Sequence, residues 1–470
     1  MQPMRVEVDS IGSVAIPAEA YYGPQTARGI DNFPISGIPI SHFPILIKSL
    51  AYVKMAAARA NVRLGDLDPG KGELICCVCE EIIAGQHLGA FPLDVFQGGA
   101  GTSTNMNINE VIANRGLEIL GLPRGSYDAL HPNNDVNLSQ STNDVYPTAI
   151  RLAILLSQEK LREALDLLAC AFAVKADSFS DVMKLGRTQL QDAVPMTLGQ
   201  EFGAFATTMR EDVARLNEIT SLFREINLGG TAIGTGINTS SDYQAAVVDE
   251  LRSITGLPLV SAGNLIEACW DTGAFVLFSG MLKRTATKLS KICNDLRLLS
   301  SGPRGGFNEI NLPALQPGSS IMPGKINPVV PEVVNQVAFQ IIGYDLTVTL
   351  ASEAGQLQLN VMEPVIVYNV LHSIELLTNA VDTLRTKCVS GITANPEYCR
   401  KHLEASTAVA TALTPAIGYE RAADLAKEVL ATGKTIGEIL ALQADLPEAL
   451  IAQTADLQAL VRPARATTAP

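Results

Sequence analysis

The stretch Gly318-Ser319-Ser320-Ile321-Met322-Pro323-Gly324-Lys325-Ile326-Asn327-Pro328 carries two hydroxyls, one fixed cation and one amide. Its glycines and prolines forbid a regular helix or strand. Such a segment is an ordinary connector or a loop that closes over a small anion and presents a serine to it. Three other stretches share its polar chemistry: Thr102 to Asn107, Ser139 to Asn143, and Thr188 to Gln191. No histidine or cysteine occurs in any of the four. Within them, a hydrolase triad, a zinc centre and a Schiff-base pocket with a phosphate cradle are therefore excluded.

Hydroxyls, amides and one lysine can hold a small dicarboxylate through neutral donors and a single salt bridge. Removing a proton from the carbon beside a carboxylate turns that carboxylate into a dianionic enolate. Preorganised donors around it then carry most of the catalysis. A serine serves as the base only where backbone N–H groups, a nearby cation and exclusion of water stabilise its alkoxide. Ser319, with Lys325 further along the same glycine-flanked loop, has the residue types for that task.

Helical patterns must position these stretches. Gly98-Gly99-Ala100-Gly101 feeds Thr102 into a helix start, where free N–H groups favour anions. Ser141-Thr142-Asn143 stands at the mouth of an apolar helix marked by Leu161, Leu165, Leu168 and Phe172, where an N-cap and an anion site use the same groups. Arg187 to Pro195 reads as a third polar insert between helices, the next of which is predicted over 198–226. Gly229 to Gly236 reads as a tight turn. From Leu265 to Leu299 there is no proline, and a helix of that length would span roughly 50 Å. A further long helix is predicted over 329–354, with Pro328 and Pro331 near its start. In Tyr21-Tyr22-Gly23-Pro24-Gln25-Thr26-Ala27-Arg28, a packed turn is favoured over a role for Arg28 in holding an anion.

The 470 residues are 47% hydrophobic, 18% charged and only 5% aromatic, as suits closely packed helices. The fold class expected is all-α, in three parts. Residues 1–144 form a mostly helical N-terminal domain, 145–396 a central bundle of very long helices, and 397–470 a small helical domain. Helices apolar beyond one seam are expected to pack against other subunits. The net charge of −13 offers no basic stripe for nucleic acid. The N-terminus has no signal-peptide core and the chain no membrane-length apolar run. Eight scattered cysteines read as reduced thiols in the cytoplasm, with Cys76 and Cys79 buried rather than metal-bound.

The loop from Gly318 to Pro328 resembles the signature loop of the aspartase/fumarase superfamily. Gly98 to Asn107, Ser139 to Asp144, Gly186 to Gln200 and Tyr21-Tyr22-Gly23 are similar to further blocks of that family, so the resemblance spans about residues 5 to 460. Gly355-Gln356-Leu357-Gln358-Leu359-Asn360-Val361-Met362-Glu363-Pro364 and Arg187-Thr188-Gln189 look like its ammonia-lyase branch. Fumarases carry histidine where Gln189 stands. His131-Pro132-Asn133 resembles a second anion site described for fumarases.

The resemblance implies reversible anti elimination of ammonia from L-aspartate to give fumarate through an enolate. Ser319 would take the Cβ proton, and Lys325 and Asn327 would bind the α-carboxylate. Thr102, Ser141, Thr142 and Ser320 would hold the β-carboxylate, and Asn143 and Thr188, with Gln189, the amino group. It implies a homotetramer whose sites are shared between subunits, a small-molecule substrate and no organic cofactor; magnesium activates some members, and no metal ligand is assigned. The rivals are a fumarate hydratase, a lyase for a substituted aspartate and a non-catalytic helical scaffold.

Overall fold

The computed structural model describes residues 3–442 and Val461, so most of the expected 397–470 segment beyond Leu442 lies outside the described residues. In chain order it forms β1 (Met4–Asp9), β2 (Gly12–Pro17), α1 (Pro24–Asn32), α2 (Pro44–Leu64), α3 (Pro69–Ile83), α4 (Thr102–Ile119) and α5 (Thr142–Ser178). Then follow β3 (Met183–Thr188), β4 (Gln191–Thr197), α6 (Leu198–Thr220), β5 (Glu225–Ile226), α7 (Tyr243–Thr255), β6 (Val260–Ser261), α8 (Gly273–Leu299) and β7 (Ile310–Asn311). The remainder is α9 (Val329–Glu353), α10 (Glu363–Thr383), β8 (Thr393–Ala394), α11 (Pro396–Glu404), α12 (Ala408–Ile417), α13 (Tyr419–Thr432) and α14 (Ile436–Ala441). The strands only pair two by two, β1 with β2, β3 with β4, β5 with β6 and β7 with β8. The fold is all-α, with strands as local trim.

Two compact units are woven from this chain. One comprises Met1–Arg162, Arg215–Arg284 and Gln340–Leu376, the other Glu163–Ala214, Thr285–Phe339 and Leu377–Pro470. Every boundary between them falls inside a helix, in α5, α6, α8, α9 or α10.

In the first unit, helix starts and stops follow local chemistry. Pro44 and Pro69 open α2 and α3, where a missing N–H costs nothing. Gly65, at φ 82°, closes α2 in the left-handed region. Asp68 caps α3 by accepting from Gly70 N and Lys71 N. The core behind them includes Leu50, Ile75, Val111 and Ile150, and edge-on rings of Phe223 and Phe278 with centroids 5.3 Å apart. In the second unit, Phe172, Phe179, Phe202 and Phe205 form a ring cluster with centroids 5.3 to 6.2 Å apart. A separate core gathers Leu185, Leu403, Leu413, Leu425, Val429, Ile436 and Leu440.

Several elements differ from the sequence expectation. The helix expected from Leu265 begins at Gly273, because Asn264 Oδ1 accepts Ile266 N and Glu267 N and turns the chain first. The helix expected to Ile226 ends at Thr220, and Glu225–Ile226 joins β5. The polar insert at 187–195 is not a loop between helices: it belongs to a β-hairpin whose two-residue turn is Gln189-Leu190, at φ 56° and 61°. Positive φ at both positions matches the twist of the strands, although neither residue is glycine. The segment expected as a packed turn opens α1, and Arg28 within that helix pairs with Asp9 at 2.8 Å. Of the two cysteines expected to be buried, Cys79 is and Cys76 is only partly so, while Cys77 between them is exposed.

Gly101 sits at φ 87° just before α4, and a Cβ there would lie 2.5 Å from the buried Tyr146 ring. We expect Gly101→Ala to lower the unfolding free energy by about 2–4 kcal/mol, combining left-handed strain with overpacking. Urea denaturation of the two proteins measures this.

Candidate functional site

In the first unit the structure places Thr102, Ser141, Thr142 and Asn143. Ser141 is the residue before α5, and its Oγ accepts the Asn143 N–H at 3.3 Å, so its N-cap role is real. Its own N–H donates to Asp144 Oδ1 at 3.0 Å, the reciprocal half of a capping box. The other oxygen of Asp144 accepts Gly229 N and Thr231 N, each at 3.0 Å. The Gly229 turn is therefore more than a connector, because it fixes the start of α5. Asp144 is wholly buried, and burial pushes its carboxyl up to about 6 against these hydrogen bonds.

Asn143 is held at both ends. Its side-chain Nδ2 donates to Ala232 O at 2.7 Å. Its backbone carbonyl would normally bond the N–H four residues on, but that residue is Pro147, inside α5, which has none. Asn227 Nδ2 donates to this carbonyl instead, at 3.0 Å. Thr142 Oγ1 accepts from Asn105 Nδ2 of α4 at 3.1 Å. The same amide donates to Asn137 Oδ1, which also accepts from Asn109 Nδ2 and from Lys54 Nζ.

Thr102 is less closely connected. Its hydroxyl donates to Gly99 O at 2.7 Å. It lines a cavity of about 850 Å³ with Ser103, Arg28, His131 and Asn133, whose walls do not include Ser141, Thr142 or Asn143. His131 Nδ1 accepts Asn133 N and Asn134 N, so one ring nitrogen is spent on the local turn.

In the second unit, Ser319, Ser320, Lys325 and Asn327 share a loop that closes on itself. Gly318 N donates to Lys325 O at 2.8 Å, and Asn327 Nδ2 donates to Gly318 O at 2.7 Å. A Cβ at Gly318 would meet Lys325 O at 2.5 Å, so only glycine permits this closure. Ser319 Oγ accepts the backbone N–H groups of Met322 at 3.0 Å and Ile321 at 3.2 Å. Lys325 and Ser320 are exposed, and Lys325 and Asn327 border a cavity of about 770 Å³ with Arg297, Asn308 and Asn311. Thr188 and Gln189 are exposed at the tip of the β3–β4 hairpin. Their neighbour Arg187 bonds the buried Glu309 at 2.6 Å and stacks over Phe307. Back in the first unit, the block from Gly355 to Pro364 hangs on buried Asn360, whose Nδ2 donates to Ala351 O and Ser352 O while Leu357 projects into solvent.

The Lyase family model matches residues 12–343, and a model described as Fumarase C C-terminus matches residues 409–462. The chain belongs to the aspartase/fumarase superfamily of lyases. It is 60% identical over 448 residues to the aspartate ammonia-lyase of Pseudomonas canavaninivorans, covering 95% of this chain and 94% of that protein. It is 51% identical over 462 residues to the aspartate ammonia-lyase of Escherichia coli K12, covering 98% and 97%. Among solved structures, it resembles the fumarate lyase:delta crystallin from Brucella melitensis bound to cobalt, with a TM-score of 0.95, 58% identity and coverage of 98% and 100%. A class II fumarase from Schistosoma mansoni superposes with a TM-score of 0.91 at 36% identity, covering 97% and 98%.

Against this superfamily background, three buried groups were given no individual role from the sequence. Lys54 is fully buried in α2, donating to Asn137 Oδ1 at 3.0 Å and Gln140 Oε1 at 2.9 Å. Its signal was a lone lysine in the run Leu50-Ala51-Tyr52-Val53-Lys54-Met55-Ala56. Glu110 of α4 accepts from Gly23 N, Gln25 N, Thr26 N and Thr26 Oγ1, so the Tyr21-Tyr22-Gly23 segment is a helix start resting on a buried carboxyl. Glu363 is buried, and burial pushes it up to about 8 against the attraction of Arg151. Among the described residues, the metal-capable group of His, Cys, Asp and Glu is His42, His372 and Glu375. Two imidazoles and a carboxylate do not suit magnesium, which prefers oxygen ligands.

Burial pulls Lys54 down from 10.5 to about 7. Between those values the unfolded chain binds a proton that the folded chain does not, so stability rises with pH across that window. Lys54→Met removes the rise. It also leaves Gln140 Oε1 without its donor, at a cost of about 1–3 kcal/mol. Denaturant titrations from neutral to alkaline pH test both effects.

Proposed function

We propose that this chain is an aspartate ammonia-lyase that removes ammonia from L-aspartate by reversible anti elimination to give fumarate. The reading rests on full-length relatives of that name at 51 to 60% identity. The observation that carries the mechanism is the pair of backbone N–H groups on Ser319 Oγ. Such donors stabilise an alkoxide more than a hydroxyl and so lower the cost of using serine as a base.

In this mechanism Ser319 removes the Cβ proton, and the adjacent carboxylate becomes an enolate dianion. Thr102, Ser141, Thr142 and Ser320 donate to that dianion, where hydrogen bonds strengthen as charge develops. Lys325 and Asn327 hold the α-carboxylate. Asn143, Thr188 and Gln189 hold the amino group, which leaves as ammonia when the electron pair of the enolate re-forms the carbonyl and expels it. The exposed, self-closed geometry of the Ser319 loop fits a flap that swings onto bound substrate and excludes water.

The site is completed by assembly into a homotetramer, with groups from different subunits contributing. Support comes from α9, where Phe339, Ile342, Leu346 and Leu350 recur along one face and are 40 to 63% exposed. A stripe of that size on one helix is out of place on a lone chain. Localisation in the cytoplasm fits the eight free cysteines. No helix among the described residues is long and apolar enough to cross a membrane.

Fumarate formation, followed by its ultraviolet absorbance with L-aspartate and separately with L-malate, tests the activity. A rise with L-malate alone would make the chain a hydratase instead. Ser319→Ala is expected to lower kcat by at least about 10²–10⁴-fold with the fold intact. Lys325→Ala is expected to raise KM, and an unchanged KM would remove Lys325 from the site. Leu346→Glu is expected to split the tetramer, read by light scattering after size exclusion, and to abolish turnover with it.

A further inference from the structure

A separate cluster in the first unit uses none of the residues assigned above. His42 ends the short turn Ile40–His42 that leads into α2, and His372 and Glu375 lie one turn apart on α10. His42 Nε2 is 3.4 Å from Glu375 Oε2. One donor atom from each of the three residues lies within 4.8 Å of the other two. Three ligands at about 2.0–2.1 Å from a tetrahedral ion stand roughly 3.4 Å apart, so side-chain adjustments of about 1.5 Å or less close the set.

The surroundings hold one ligand in place. His372 Nδ1 is 3.2 Å from Tyr344 Oη. Its ring is packed against Tyr368 at 5.5 Å, Tyr344 at 5.7 Å and Phe43 at 6.3 Å between centroids. A ligating imidazole is characteristically oriented through its other nitrogen, which fixes both tautomer and ring plane. With Nδ1 engaged by Tyr344 Oη, Nε2 is the ring nitrogen open to an ion. His42 and Glu375 are half exposed, so an ion has a path in from solvent.

We propose that His42, His372 and Glu375 bind one divalent transition-metal ion of the zinc or nickel class, with water in the remaining position. Imidazole donors select these ions over magnesium and calcium. The ion would clip the turn before α2 to α10, two segments far apart in sequence, and would stabilise the folded chain by binding it in preference to the unfolded one. The alternative is a His–Glu ion pair beside an aromatic cluster, with no ion.

The test uses the full-length protein, stripped with chelator, in a Cys77→Ser/Cys170→Ser background that removes the exposed thiols. Calorimetric titration with nickel is expected to give one ion per chain and a raised Tm, with no response to magnesium. His42→Ala and Glu375→Gln should each weaken binding at least tenfold, and Tyr344→Phe, a positioning change, by about tenfold. Circular dichroism without metal confirms that each variant folds. A readout that needs no variant is carbethoxylation mapped by mass spectrometry, in which nickel should protect His42 and His372 and leave the other histidines reactive. The same nickel affinity in the His42→Ala/Glu375→Gln double variant overturns the proposal, as does the absence of protection at both histidines.

Discussion

The first unit depends on one buried carboxylate. Asp144 receives the N–H of Ser141 through one oxygen and those of Gly229 and Thr231 through the other. A carboxylate in the first turn also suits the positive end of the helix dipole. Three backbone donors from two distant segments therefore converge on one side chain, and α5 cannot start anywhere else. The hydroxyls and amide of Ser141, Thr142 and Asn143 take their directions from that start. The attraction of Lys54, also buried, adds to these hydrogen bonds in holding the Asp144 carboxyl down against burial.

The proposed function requires an acidic protein to accept an acidic substrate. The chain carries a net charge of −13, and its overall field repels dicarboxylates. The acidic groups nearest the candidate donors are internally satisfied: Asp144 faces backbone amides, and Glu309 faces Lys184 and Arg187. The groups proposed to meet the substrate are neutral hydroxyls and amides, with the ammonium of Lys325. Local dipoles act over a few ångströms, whereas the global field is screened within about 10 Å at ordinary salt.

The four polar stretches and the long helices were legible because they rest on local rules, namely glycine and proline punctuation, capping residues and a 3.6-residue period. The extent of α9 could be read almost to the residue. The hairpin at β3–β4 could not, because Gln189 and Leu190 adopt positive φ without the Asn-Gly or Gly-Gly that announces such a turn. Asp144 was given no role from the sequence, because its bonds to Gly229 and Thr231 are made across 85 residues or more of chain. Lys54 shows the limit most clearly. A single lysine in an apolar helix looks like a solvated side chain until Asn137 and Gln140, both from another segment, arrive to receive it.

The loop from Gly318 to Asn327 is exposed, yet it is stitched by Gly318 to Lys325 and by Asn327 back to Gly318. Its two ends are already joined before any ligand arrives, so the chain between them has few conformations left to lose. A floppy segment of that length would spend part of the substrate's binding energy on becoming ordered. Here that entropy was surrendered during folding, and a hinged piece of this kind can move as one body. In the proposed mechanism, binding energy is then free to serve the reaction coordinate, and Ser319 would meet the substrate with its two amide donors already in place.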